Sequence, residues 1–189
     1  MQAARGASLT SDRTDPGCST PPARRASRAS SLTLVGLLAA AGLALDQWTK
    51  HLAVQHLADH GISLAGGLLR LTLARNPGAA FSTGTSYTPV ISLIAIAATV
   101  VVCVVALRTR NRTWAVALGL LLAGVLGNLV DRLAREPGPL RGHVVDFLEL
   151  PHWPVFNVAD ICINIAALLI LVQVVRGVRL DGSRHHEER

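Results

Sequence analysis

The feature that most restricts this chain is the run of residues 90–107, eighteen positions without a charged side chain. That is close to the ~20 apolar residues needed to cross a bilayer core as a helix. Residues 113–130 repeat the pattern, and residues 158–175 carry one acid, Asp160, near their start. Residues 32–45 form a shorter uncharged run. It has a basic approach (Arg24, Arg25, Arg28) like that of a secretory signal peptide. The polar stretch Asp46-Gln47-Trp48-Thr49-Lys50 continues a helical pattern, so an uncleaved first span over 32–54 is expected. Mean hydropathy is +0.41 and 16% of residues are charged, against roughly 25% in soluble domains. The natural solvent for these runs is lipid.

The chain of 189 residues allows one domain. Residues 1–30 are rich in Ser, Ala, Arg and Pro and read as a disordered cytoplasmic tail. Residues 31–177 read as a four-helix transmembrane domain, and 178–189 as a charged cytoplasmic tail. The net charge is +6, but the arginines flank apolar runs, which argues for membrane topology rather than nucleic acid. Arg108, Arg110 and Arg112 lie in the link after the second span, and Arg176 and Arg179 follow the fourth. With four spans, the positive-inside rule puts both termini and the 108–112 link in the cytoplasm. The loops 55–88 and 133–155 then face outward. The first of them shows alternating, Gly-broken apolar residues over 62–73, which predict short strands, and a turn signal at Asn76-Pro77-Gly78. The second, rich in proline, reads as a loop. Three cysteines, Cys18, Cys103 and Cys162, have no pairing or zinc spacing and read as free thiols.

Asp46, Asp131, Asp146 and Asp160 all fall at the outer end of these spans. Ionisable groups at membrane depth cost ~2.5–3.5 kcal/mol on insertion scales and are functional candidates by default. Asp46 and Lys50, four apart, can pair on one helix face, or serve with Trp48 as an interfacial anchor. Arg75-Asn76-Pro77-Gly78-Ala79-Ala80-Phe81-Ser82 offers a surface turn, or small residues and an amide suited to an extended peptide. Asn128 and Asp131 share a face of the third span, beside Gly124 and Gly127 and next to Arg132. They suit either a site or a buried Asp131–Arg132 network. Asp146 follows apolar residues in the second outer loop. Asn157 and Asp160 repeat the Asn-x-x-Asp spacing, as cap or as site.

Two carboxylates held close cannot both ionise easily and so share a proton. The ionised member can take a proton from water while the other polarises a peptide carbonyl, which hydrolyses an amide with no metal or cofactor. Neither a His-Glu-x-x-His zinc motif nor a Gly-x-Ser-x-Gly elbow is present. His56 and His60 lack an acidic third ligand. Spacing alone leaves the pair open and favours Asp131 with Asp160, since each follows an Asn by three.

The motifs Asp46–Lys50, 76–82, 127–132 (Gly-Asn-Leu-Val-Asp-Arg), 144–147 (Val-Val-Asp-Phe) and 156–160 (Phe-Asn-Val-Ala-Asp) resemble, in order, those of lipoprotein signal peptidase, or signal peptidase II. The resemblance covers about residues 32–176. It implies an all-α membrane protein of four transmembrane helices, with a small extracytoplasmic β-cradle and an amphipathic segment between the first two spans. It implies an aspartic endopeptidase of the bacterial cytoplasmic membrane that cleaves prolipoproteins just before a diacylglyceryl-modified Cys. Its catalytic residues would be Asp146 and Asp160. Asn76, Asn128, Arg132 and Asn157 would orient the substrate or the pair, with Asp131, Asp46 and Lys50 in support. No metal or cofactor is implied; the partners would be lipid-modified prolipoproteins and membrane lipids, while the sequence leaves the oligomeric state open and favours a monomer. The stretch from Arg132 to Asp146 is longer than the family pattern and that from Asp146 to Asp160 shorter. A proton-coupled transporter or channel is the rival reading, because such proteins also use intramembrane acids.

Overall fold

The structure, a computed structural model, describes residues 27–78 and 87–183. The expected tail up to residue 26, residues 79–82 of the second motif and the last six residues lie outside them. Among the described residues, four helices are long and apolar enough to span a membrane: α1 (Arg28–His56), α2 (Thr88–Ala106), α3 (Arg112–Ala134) and α4 (Val158–Val175). Strands β1 (Ile62–Leu64), β2 (Leu69–Asn76) and β3 (Val144–Glu149) form one antiparallel sheet in that order. The fourth helix matches its expected bounds, and the others differ by a few residues. Helix α1 starts earlier, at Arg28, because the Ser27 hydroxyl accepts from the Ser30 N–H as an N-cap. Its 29 residues extend about 44 Å, so it overshoots a ~30 Å hydrocarbon core.

Helix α3 is the central element. Half of its apolar window is buried, against 17–22% for the other three spans. Its glycines explain how neighbours come so close. A Cβ at Gly124 would stand 2.5 Å from the Ala159 carbonyl oxygen of α4, and one at Gly127 would stand 2.6 Å from the Asp46 carboxylate of α1. The backbones therefore touch where a side chain would part them. The surfaces of α2 and α4 away from α3 stay apolar and exposed, as at Val100, Val101, Leu168 and Leu171, and these faces suit lipid.

The sheet caps one end of the bundle. Strand β3 was expected to be loop; its period-2 alternation is hidden because Val144, Val145, Asp146 and Phe147 are all buried. Val145 and Phe147 pack with Ala53, Leu57 and Leu71 between sheet and α1. Asp146 points to the opposite face, as alternation requires, and pairs in register with Ala74 of β2. A register shift between Leu71 and Ala74 adjusts β2 to this partner. Between α1 and α2 the described residues hold β1, a 3₁₀ turn (Ala65–Gly67) and β2. The amphipathic segment expected there is not among them. At the other end, residues expected to form a charged tail fold back: Arg110 N–H donates to the Leu180 carbonyl (2.9 Å), and the Trp114 indole to the Val178 carbonyl (3.0 Å).

Candidate active site

Helix α4 opens with a reciprocal cap. The Asn157 side-chain oxygen accepts from the Asp160 N–H (3.0 Å), and Asp160 Oδ2 accepts from the Asn157 N–H (3.1 Å). The capping and site readings of this motif are therefore compatible, because the cap fixes the Asp160 carboxylate. Asn157 Nδ2 then donates to Asp146 Oδ1 at 2.6 Å and to Asn128 Oδ1 at 3.1 Å. Asn128 Nδ2 donates to Asp160 Oδ1 (3.0 Å), and Asn76 Nδ2 to Asp146 Oδ2 (3.2 Å). Each of the four carboxylate oxygens has its own donor, and Asn157 touches both acids. Asp146, Asp160, Asn76, Asn128 and Arg132 line one cavity of about 610 Å³, together with Gly78 and Trp153.

Burial first, and then the Asp160 charge, push the Asp146 carboxyl from 3.8 up to about 6, against the opposing pull of the Asn157 and Asn76 hydrogen bonds. Asp146 is 3% exposed, which accounts for burial as the leading cause. An acid raised this far is half protonated at about pH 6, within reach of general acid–base work.

The other two acids are occupied elsewhere. Lys50 Nζ, wholly buried, lies 2.9 Å from Asp46 and 2.8 Å from Asp131. Asp131 also pairs with Arg135 at 2.6 Å. Four charges thus sum to zero inside the bundle, the condition under which buried ions are tolerable. The pair Asp46–Lys50 is a core feature rather than an interfacial anchor; Trp48 alone is exposed. Of the two readings of this motif, the network one lacks its contact: no Asp131–Arg132 hydrogen bond or ion pair is found among the described residues. Arg132 instead donates to the carbonyls of Gly78 (2.6 Å) and Pro77 (3.5 Å), holding the turn that follows β2. Spacing had favoured Asp131 as one of the pair, but it is fully buried, bound to two cations and outside the cavity lining.

These supporting acids reach the two elements that carry the site. Asp46 Oδ1 accepts from the Ala159 N–H (2.8 Å), a free donor in the first turn of α4. Asp131 Oδ2 accepts from the Val145 N–H (3.2 Å), next to Asp146 on β3. Lys50 joins both acids and also donates to Asn128 Oδ1 (2.9 Å). Gln47 and Arg135 were not singled out from the sequence. Gln47 donates to Asp46 (3.2 Å), the Gly127 carbonyl (3.0 Å) and Asp131 (3.4 Å). Arg135 was visible as the i+4 neighbour of Asp131. Gln47 was visible only as part of its motif.

The family model described as Signal peptidase (SPase) II matches residues 38–176. The chain belongs to the signal peptidase II family. Lipoprotein signal peptidase of Mycobacterium avium is 46% identical over 168 residues, 88% of this chain and 91% of that one. That of Leifsonia xyli subsp. xyli is 40% identical over 178 residues, covering 93% and 82%. A bacterial membrane enzyme structure determined by the in meso method at 2.3 Å has a TM-score of 0.70 and 26% identity, covering 88% of this chain and 97% of that one. A second, at 1.9 Å, has a TM-score of 0.66 and 27% identity, covering 81% and 97%. Signal peptidase II enzymes are membrane proteases that remove signal peptides from prolipoproteins, and the transporter reading has no support beside this family.

Proposed function

We propose that Asp146 and Asp160 are the catalytic pair of this signal peptidase II and that it cuts prolipoproteins just before a diacylglyceryl-modified cysteine. The observation that carries this is the division of labour among four buried or half-buried acids. Asp146 and Asp160 share the donor Asn157 at the wall of the cavity, while Asp46 and Asp131 are held by cations outside it. One proton resides on the pair. The ionised carboxylate takes a proton from a water molecule as it attacks the peptide carbonyl, and the protonated one donates to the carbonyl oxygen. Collapse of the tetrahedral adduct returns a proton to the leaving amine. Asn76, Asn128 and Asn157 hold the carboxylates in place, and Arg132 keeps the turn at Pro77–Gly78 against the cavity. One chain supplies all of these groups, so a monomer suffices.

The enzyme is a multi-pass protein whose sheet end faces out of the cytoplasm across the cell membrane. Arg108, Arg110 and Arg112 after α2, and Arg176 and Arg179 after α4, all lie at the end away from the sheet, which supports this orientation. The lipid chains of the substrate supply much of the binding, at ~0.8 kcal/mol per buried CH₂.

The deciding experiment uses the full chain in liposomes with a lipidated prolipoprotein peptide. Asp146→Asn and Asp160→Asn are expected to remove turnover, by roughly the ~10⁴-fold at the upper range of general acid–base catalysis, while the thermal unfolding transition in detergent persists. Normal processing by either variant would take that acid out of the mechanism.

A further inference from the structure

The cavity contains a polar group that the catalytic pair does not use. Asp160, Ile163 and Asn164 of α4 line it together, as i, i+3 and i+4 on one helix face. Asn164 stands about 6 Å further along the helix axis than Asp160, away from the sheet. Its Nδ2 donates to the Asp160 backbone carbonyl at 2.9 Å, which defines the two ends of the amide. Oδ1 accepts no hydrogen bond among the described residues. The side chain is exposed. Its neighbours on α4 that are open to lipid are apolar: Ile161, Ile165 and Leu168. Gln173, the other carboxamide of this helix, is buried and donates to Asn111 Oδ1. A carboxamide at membrane depth is costly unless its polar atoms are partnered, and among the described residues only Nδ2 has a partner.

A signal peptide in a membrane satisfies its own backbone as a helix. To be cut, it must unwind beside the acids, and this frees N–H and C=O groups at membrane depth. Those just upstream of the cleaved bond lie on the membrane-interior side of the pair, the side on which Asn164 stands. In an extended chain, 6 Å corresponds to about two residues.

We propose that Asn164 binds the unwound backbone of the signal peptide about two residues upstream of the cut, its Oδ1 accepting from a substrate N–H. It is a substrate-binding residue with no role in proton transfer. The proposal rests on Asp146 and Asp160 as the pair, since they fix where the cut falls.

The test is an ester scan. Lipidated peptides carry an ester in place of the amide at each of the first four positions upstream of the cut, removing one N–H at a time. They are assayed with the full wild-type chain and with Asn164→Val in liposomes. On the all-amide peptide, Asn164→Val is expected to lower kcat/KM about tenfold, mainly through KM, as for one lost hydrogen bond. At one ester position the wild type falls by a similar factor and the variant does not fall further. Equal losses for both proteins at every position would overturn the proposal, as would an unchanged kcat/KM for the variant. Asn164→Ala serves as the second variant if valine disturbs folding. Failure of the catalytic assignment reads out separately, as turnover retained by Asp160→Asn whatever the ester scan gives.

Discussion

At the residue scale, the raised Asp146 carboxyl makes a signed prediction. The folded chain holds this proton up to about 6, while the unfolded chain releases it near 3.8. Below both values the two states are protonated alike. As pH rises between them, only the unfolded state gives up its proton, so stability falls until about pH 6 and then levels off. Processing is expected to decline as pH rises through about 6, where the pair loses its shared proton; this midpoint belongs to the pair rather than to one acid. A pH–rate profile of kcat measures it, and a rate that climbs through that range would contradict it. Asp160→Asn removes the neighbouring charge, so the pH dependence of its thermal unfolding should move toward lower pH. The sequence marked every acid involved; spacing alone favoured Asp160 with Asp131, whereas the family resemblance pointed to Asp146 with Asp160. Spacing along a helix says which groups share a face; it does not say which face meets the cations. That depended on Lys50, 81 residues away in sequence yet 2.8 Å distant in space.

At the scale of elements, the clamp of Asp46, Lys50 and Asp131 sets how α4 stands against β3, because each acid holds a backbone N–H of one of them. Lys50→Met leaves Asp46 buried without its cation, while Asp131 keeps Arg135. A loss of about 3–5 kcal/mol is expected, the usual cost of breaking a buried pair from one side. Adding Asp46→Asn removes the stranded charge and should restore part of it, since the amide oxygen still accepts from Ala159. Denaturant unfolding in detergent measures both, and a double variant no more stable than Lys50→Met would count against the clamp. The four spans were legible because a long uncharged run has few other fates. The strands before α2 were legible in outline from their glycine-broken alternation. Strand β3 was not: a strand covered on both faces shows no polar period, and its prolines lie just outside it.

At the scale of the whole molecule, polarity is divided between two ends. The sheet and the acid-lined cavity occupy one, and Arg108, Arg110, Arg112, Arg176 and Arg179 with the folded-back segment up to Ser183 occupy the other. Cysteine labelling in intact cells, in a background lacking the native thiols, tests the orientation. Arg110→Cys is expected to react only after the membrane is permeabilised, and His152→Cys to react at once; the reverse pattern would invert the topology. The sequence read this division from arginine counts alone, although it did not foresee that residues 178–183 pack onto the bundle. The alternation along β3 has a consequence for how such a chain can vary. The links on either side, 136–141 and 150–155, can change length at less cost than the ribbon, provided Gly142, Phe156 and Asn157 keep their contacts. Deleting a single residue between Val144 and Asp146 would exchange the two sides of the ribbon, turning the acid into the grease against α1 and a hydrocarbon into the polar pit. Indels in this family are therefore expected to accumulate around that ribbon and to spare its six positions.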